Sequence, residues 1–106
     1  AMNQINEIFD LSKEALRDTD ANQIIDELLA VAKGGEQTSA LKLGKTYTDL
    51  RVVPDYQSAY VWLSIAQAYG LESASGLLSQ VADELTLEEI LVQQEKASTT
   101  FADINS

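Results

Sequence analysis

Between Ala40 and Ala74 the chain sets small residues at helical spacing beside aromatic ones, an order that calls for closely packed helices. Ala40, Leu43, Gly44 and Tyr47 share one face of a first helix; Tyr56, Ala59, Trp62, Leu63 and Ala66 share the face of a second. Gly44 with Ala59 or Ala66 removes bulk at the contact, so the two axes approach toward the lower end of the usual ~8–10 Å. Tyr47 and Trp62 fill the wedges left beside those small residues. Gly70 permits a left-handed residue that ends the second helix sharply. Two helices packed back to back offer a surface to a partner more readily than a catalytic pocket.

The rest of the chain reads as helix too, with six segments and no strand. Ile5, Ile8, Phe9, Ala15 and Leu16 make a stripe over roughly residues 3–17. Asp18-Thr19-Asp20 then supplies a capping oxygen for a helix carrying Ile24, Ile25, Leu28, Leu29 and Ala32, which Gly34-Gly35 ends. Thr38 or Ser39 is the expected cap of the Ala40 helix, and Pro54 stands where a helix begins. Ala74, Leu77, Leu78, Val81, Ala82 and Leu85 mark a fifth segment. Thr86-Leu87-Glu88-Glu89 is a capping box opening a sixth through Ile90, Leu91, Gln94, Ala97 and Phe101. Short linkers predict consecutive helices packed as antiparallel neighbours. The 106 residues make one all-α domain, since two cores of half this size would be too small to be stable.

The spaced residues Ala40, Leu43, Gly44, Tyr47, Asp55, Tyr56, Ala59, Trp62, Ala66, Gly70 and Ala74 resemble the Sel-one-like repeat (SLR), a relative of the tetratricopeptide repeat (TPR). The match covers residues 38–72, one full repeat, and Val52-Val53 stand where the family carries Gly before Val in a loop one residue longer. The resemblance implies a TPR-like α/α superhelix of about three antiparallel hairpins. In it, residues 3–37 form a degenerate N-terminal pair or cap and residues 73–101 a C-terminal pair. Such repeats bind partners on the concave face lined by the first helix of each hairpin. Carried over by helix phase, that face holds Thr38, Leu41, Lys45 and Thr48. Leu41 is then either a groove anchor or a leucine buried by the preceding hairpin.

Seventeen acids against seven bases give a formal charge of −10. Such a chain repels nucleic acid, whose binders need cationic stripes. The charge is uneven: residues 52–106 hold eight acids and only Lys96, so an electrostatically steered partner is basic and approaches that half. The bland reading is the ordinary acidity of a soluble bacterial-type protein. Neither cysteine nor histidine is present, which removes thiol chemistry, imidazole mechanisms and Cys/His zinc sites. With no apolar span and no apolar leader, the expected setting is the cytoplasm, away from membranes.

Two further surface features stand out. Tyr60 lies off the apolar stripe of its helix and is the aromatic candidate for a partner contact, or else a solvent-facing residue. Asp83 and Glu84 sit near a helix end whose dipole opposes them, which suits a Lys or Arg of a partner, a weak cation site, or a solvated turn. No calcium-loop spacing, phosphate-binding glycine loop or converging acid–base pair is present, so no cofactor or metal is implied.

The expected function is therefore non-enzymatic: a protein–protein interaction scaffold or adaptor holding a partner segment on its concave face. An acidic inhibitor or immunity protein neutralising a basic enzyme or toxin is the alternative, and its affinity should collapse as salt rises. A weakly self-associating module with an open end is a third reading.

Overall fold

The structure, a computed structural model, describes residues 20–106. The expected helix over residues 3–17 and the capping oxygens of Asp18 and Thr19 lie outside the described residues. Five helices follow: α1 (Ala21–Lys33), α2 (Gln37–Asp49), α3 (Tyr56–Ala68), α4 (Ser73–Ala82) and α5 (Leu87–Ile104). Among the described residues there is no strand.

The helix ends follow from local hydrogen bonding. Gly70, at φ 87°, lets the chain turn so that Leu71 N–H donates to the Ala66 carbonyl and Gly70 N–H to that of Gln67. Gly35 ends α1 in the same way, with Glu36 N–H donating to Val31. The predicted capping box is present: Glu89 N–H donates to Thr86 Oγ1 at 3.2 Å, and Thr86 N–H donates to Glu89 Oε1 at 2.8 Å. Asp55, directly after Pro54, caps α3 by accepting from Ser58 N–H at 3.0 Å and from the Ser58 hydroxyl at 2.7 Å.

Two expected caps are corrected. Asp20 has helical backbone angles and makes no side-chain cap bond, because a capping side chain reaches back over the first turn only from an extended backbone. The cap of α2 is Glu36, not Thr38 or Ser39. Its extended backbone, one residue past the glycine turn, aims both carboxylate oxygens at the helix, where they accept from Thr38 N–H at 3.1 Å and Ser39 N–H at 2.9 Å. The hydroxyls of Ser39 and Thr38 donate to the same carboxylate and, with those amides, pull its pKa down to about 2.

Packing centres on α3, whose residues Ala59 through Leu63, Ile65 and Ala66 are all buried. Helices α2, α4 and α5 all pack against it, and α1 packs on α2. Gly44 lies against Leu63, while Asp55 N–H donates to the Tyr47 carbonyl at 2.9 Å, so α2 and α3 run antiparallel. Gln67 near Ser75, and Leu63 clustered with Val81, show the same for α3 and α4. At the α2–α3 contact Gly44 meets Leu63; Leu43, Ala59, Trp62 and Ala66 are buried and Tyr47 half-buried.

The C-terminal pair departs from expectation. Helices α4 and α5 pack on α3 and meet each other little, so residues 73–101 do not close as a tight hairpin. Helix α5 instead runs parallel to α3. Gln57 Nε2 donates to Glu89 Oε2 (2.7 Å), Gln94 Nε2 to the Tyr60 hydroxyl (3.1 Å) and Asn105 Nδ2 to the Tyr69 hydroxyl (3.2 Å). The Tyr69 and Phe101 rings lie 5.1 Å apart in the same interface. Paired residues along it are separated by 32 to 36 positions in the chain.

This arrangement corrects two further expectations. Tyr60 is 6% exposed rather than at the surface, because a helix covered by three others has no free side there. Leu91 is 56% exposed, and the buried face of α5 runs instead through Gln93 and Ala97 beside the half-buried Ile90, Phe101 and Ile104. Buried Gln93 is tolerated because its amide donates to Gln57 Oε1.

Candidate functional site

Because α2 and α4 both run antiparallel to α3, they are parallel to each other, and an open cleft of about 240 Å³ lies between them. Its floor is Gly44, Leu63 and Val81, with Tyr56 and Leu77 at the sides. Lys45, Thr48 and Asp49 form one rim, and Gln80 and Glu84 form the other. Beneath the cleft the Leu63 side chain packs directly on the Gly44 backbone and is fully buried, so the reachable apolar surface is that of the half-buried Tyr56 and Leu77.

The predicted site residues divide across this geometry. Lys45, Thr48 and Glu84 are brought together on the cleft. The Thr48 hydroxyl donates back to the Gly44 and Lys45 carbonyls, both at 3.2 Å, so it is held against its own helix. Thr38 is exposed beyond the cleft and spends its hydroxyl on Glu36. Asp83 is exposed as the residue that ends α4, outside the lining. Leu41 is half-buried and packs against both clusters of the core, so it fills space between helices and is not presented as a free anchor.

Asp49 and Gln80 were missed by sequence reasoning. Both are exposed polar residues one helical turn from a singled-out position, Lys45 and Glu84 respectively, and they become rim residues only once α2 and α4 are side by side. The signal was available in the spacing: Asp49 and Glu84 stand one repeat length apart, as do Lys45 and Gln80.

Electrostatically, α2 and α4 finish at the same end of the cleft. Neither has a basic residue in its last turn, and Asp49 and Glu84 add carboxylates there. The carbonyl ends of the two helix dipoles and these carboxylates make that end negative. The N–H groups at the start of α3 lie at the same end, with Ser58 N–H already taken by Asp55. The arrangement can hold an apolar side chain on the floor and a cation at the negative end.

A second groove of about 400 Å³ opens where α4 and α5 part, floored by Tyr60, Ser64 and Ala68 of α3 and walled by Leu78, Ser98 and Phe101. Tyr60 thus touches a groove from beneath rather than projecting from the surface. The groove carries no charged lining. Elsewhere, burial and then the negative charge of Asp55 raise the pKa of the Tyr47 phenol. Among the described residues no helix is long and apolar enough to cross a membrane.

Compared with models of protein families, with curated proteins and with solved structures, the chain finds no match.

Proposed function

We propose that this chain is a non-enzymatic interaction scaffold, of the Sel-one-like repeat kind, that holds a segment of a partner protein in the α2–α4 cleft. The observation that carries the reading is the cleft itself: an open trough with an apolar floor and polar rims. At about 240 Å³ it is smaller than the ~300–1,000 Å³ of sites that enclose small molecules, and suits one or two side chains of a longer segment. A superhelix of helix pairs is supported by the parallel α3 and α5. Their 32-to-36-residue offset is close to the ~34-residue period of tetratricopeptide repeats. In such a stack the first helices of successive pairs line the binding face, and the repeat reading makes α2 and α4 those helices. The composition, acidic and free of cysteine and histidine, fits a cytoplasmic adaptor for a protein partner rather than for nucleic acid.

The test is affinity capture from the source cell with two baits, the wild-type chain and Gln80→Trp, which fills the cleft from an exposed rim position. A partner retained by the first and lost from the second is the expected result. Equal recovery on both baits overturns the reading.

One observation favours the acidic-inhibitor alternative: Asp83, Glu84, Glu88 and Glu95 are all exposed in a half of the chain with a single base. That reading predicts a partner lost on Glu88→Lys/Glu95→Lys and kept on Gln80→Trp.

A further inference from the structure

The cleft has a polarity of its own. Its apolar floor of Gly44, Leu63 and Val81 extends toward the end where α2 and α4 both finish, and Asp49 and Glu84 stand on opposite rims there. Helices ordinarily place cations in their last turn, where these compensate the carbonyl end of the dipole. Neither helix does so here. Lys45, the one basic residue of the lining, sits a full turn back from Asp49, and the half of the chain that supplies the opposite rim contains only Lys96. Of the amides at the start of α3, that of Ser58 is already engaged by the Asp55 carboxylate. Two parallel helix ends and two carboxylates therefore face one small volume from both sides, with an apolar surface beside it.

From this we infer that the segment held in the cleft carries a lysine or arginine next to an apolar side chain. The apolar group rests against Tyr56 and Leu77, the half-buried apolar residues of the lining, and the cation lies between Asp49 and Glu84. This rests on the scaffold reading and adds the chemistry of what is held. An acidic or neutral segment would leave both carboxylates to be desolvated with no counter-charge, which costs affinity. The cation needs only to reach the rim, so it keeps part of its hydration while its aliphatic stem covers the floor.

A phage library of random dodecapeptides, selected on the full chain, tests this. Selected peptides are expected to share an apolar residue adjacent to Arg or Lys. They should bind Asp49→Lys/Glu84→Lys at least about tenfold more weakly than wild type, and should be lost on Gln80→Trp. Asp49→Asn/Glu84→Gln, which keeps the shape of the rims, should cause a smaller loss in the same direction. Circular dichroism of each variant reports that it is folded. Peptides that Gln80→Trp displaces but that lack basic residues overturn the inference and leave the scaffold reading standing. A selection that yields no binders, or only binders indifferent to Gln80→Trp, overturns both.

Discussion

Gly44 of α2 and Leu63 of α3 touch so closely that a Cβ on residue 44 would lie 2.3 Å from Leu63 Cδ2 and 2.4 Å from its Cγ. Leu63 is only 1% exposed, enclosed by Ala59, Tyr60 and Val81, so it has nowhere to retreat. Gly44→Ala should therefore destabilise the fold. Overpacking of this kind costs about 1–3 kcal/mol, which outweighs the gain of up to ~1 kcal/mol from replacing a mid-helix glycine. Urea unfolding with an unchanged slope and a lower midpoint is the expected result.

Two other glycines should answer differently to the same substitution. Gly70 has open space around it but a φ of 87°, so Gly70→Ala should cost about 1–2 kcal/mol through its backbone alone. Gly76 lies inside α4 with open space and without a positive φ, so Gly76→Ala should stabilise by about 1 kcal/mol. Thermal melts of the three alanine variants should then rank Gly76→Ala above wild type and the other two below it.

Tyr60 separates a core tyrosine from a surface one. Tyr60→Ala should cost about 3–5 kcal/mol, as large aromatic truncations in cores do, where an exposed tyrosine would cost almost nothing. Tyr60→Phe removes only the hydroxyl that accepts from Gln94 and should cost about 0.5–1.5 kcal/mol. Denaturant titration of both variants distinguishes the ring from the hydroxyl.

Glu36 gives the fold an acid-sensitive helix start. Its folded pKa of about 2 is below the ordinary value of 4.5, so the ionised form is favoured by folding. That stability is fully present above about pH 4.5 and is lost as pH falls toward about 2. Glu36→Gln should melt a few degrees below wild type at pH 7, and the gap should close by pH 2.

Most of the helical organisation was legible in the residues. The stripe Ile24–Ala32, the stop at Gly70 and the box Thr86–Glu89 are local signals, each decided within a single helix or its end, and Gly44 marked a close approach without naming Leu63 as its partner. What escaped is what depends on neighbours. Tyr60 is off the stripe of its own helix, yet it is buried because α3 is enclosed by three others. Glu36 was passed over because glutamate is an unusual cap, and only the extended backbone after Gly35 brings its longer side chain into reach. Leu91 and Gln93 are two positions apart on α5, and which one turns inward is set by the parallel approach of α3, where Gln57 satisfies the buried amide. The cleft was half legible: Lys45, Thr48 and Glu84 were singled out one by one, while Asp49 and Gln80 required knowing that α2 and α4 lie abreast.

The enclosure of α3 bears on how this chain loses its structure. A row of hairpins, each touching only the next, can peel from one end while the remainder survives. Here α2, α4 and α5 share one central partner, so releasing that helix takes contacts from all three at the same moment and leaves α2 only its packing on α1 and a slight touch with α4. Amide exchange in α2, α3 and α5 should accordingly converge on a single opening event rather than a graded series, with the tail departing no earlier than the middle.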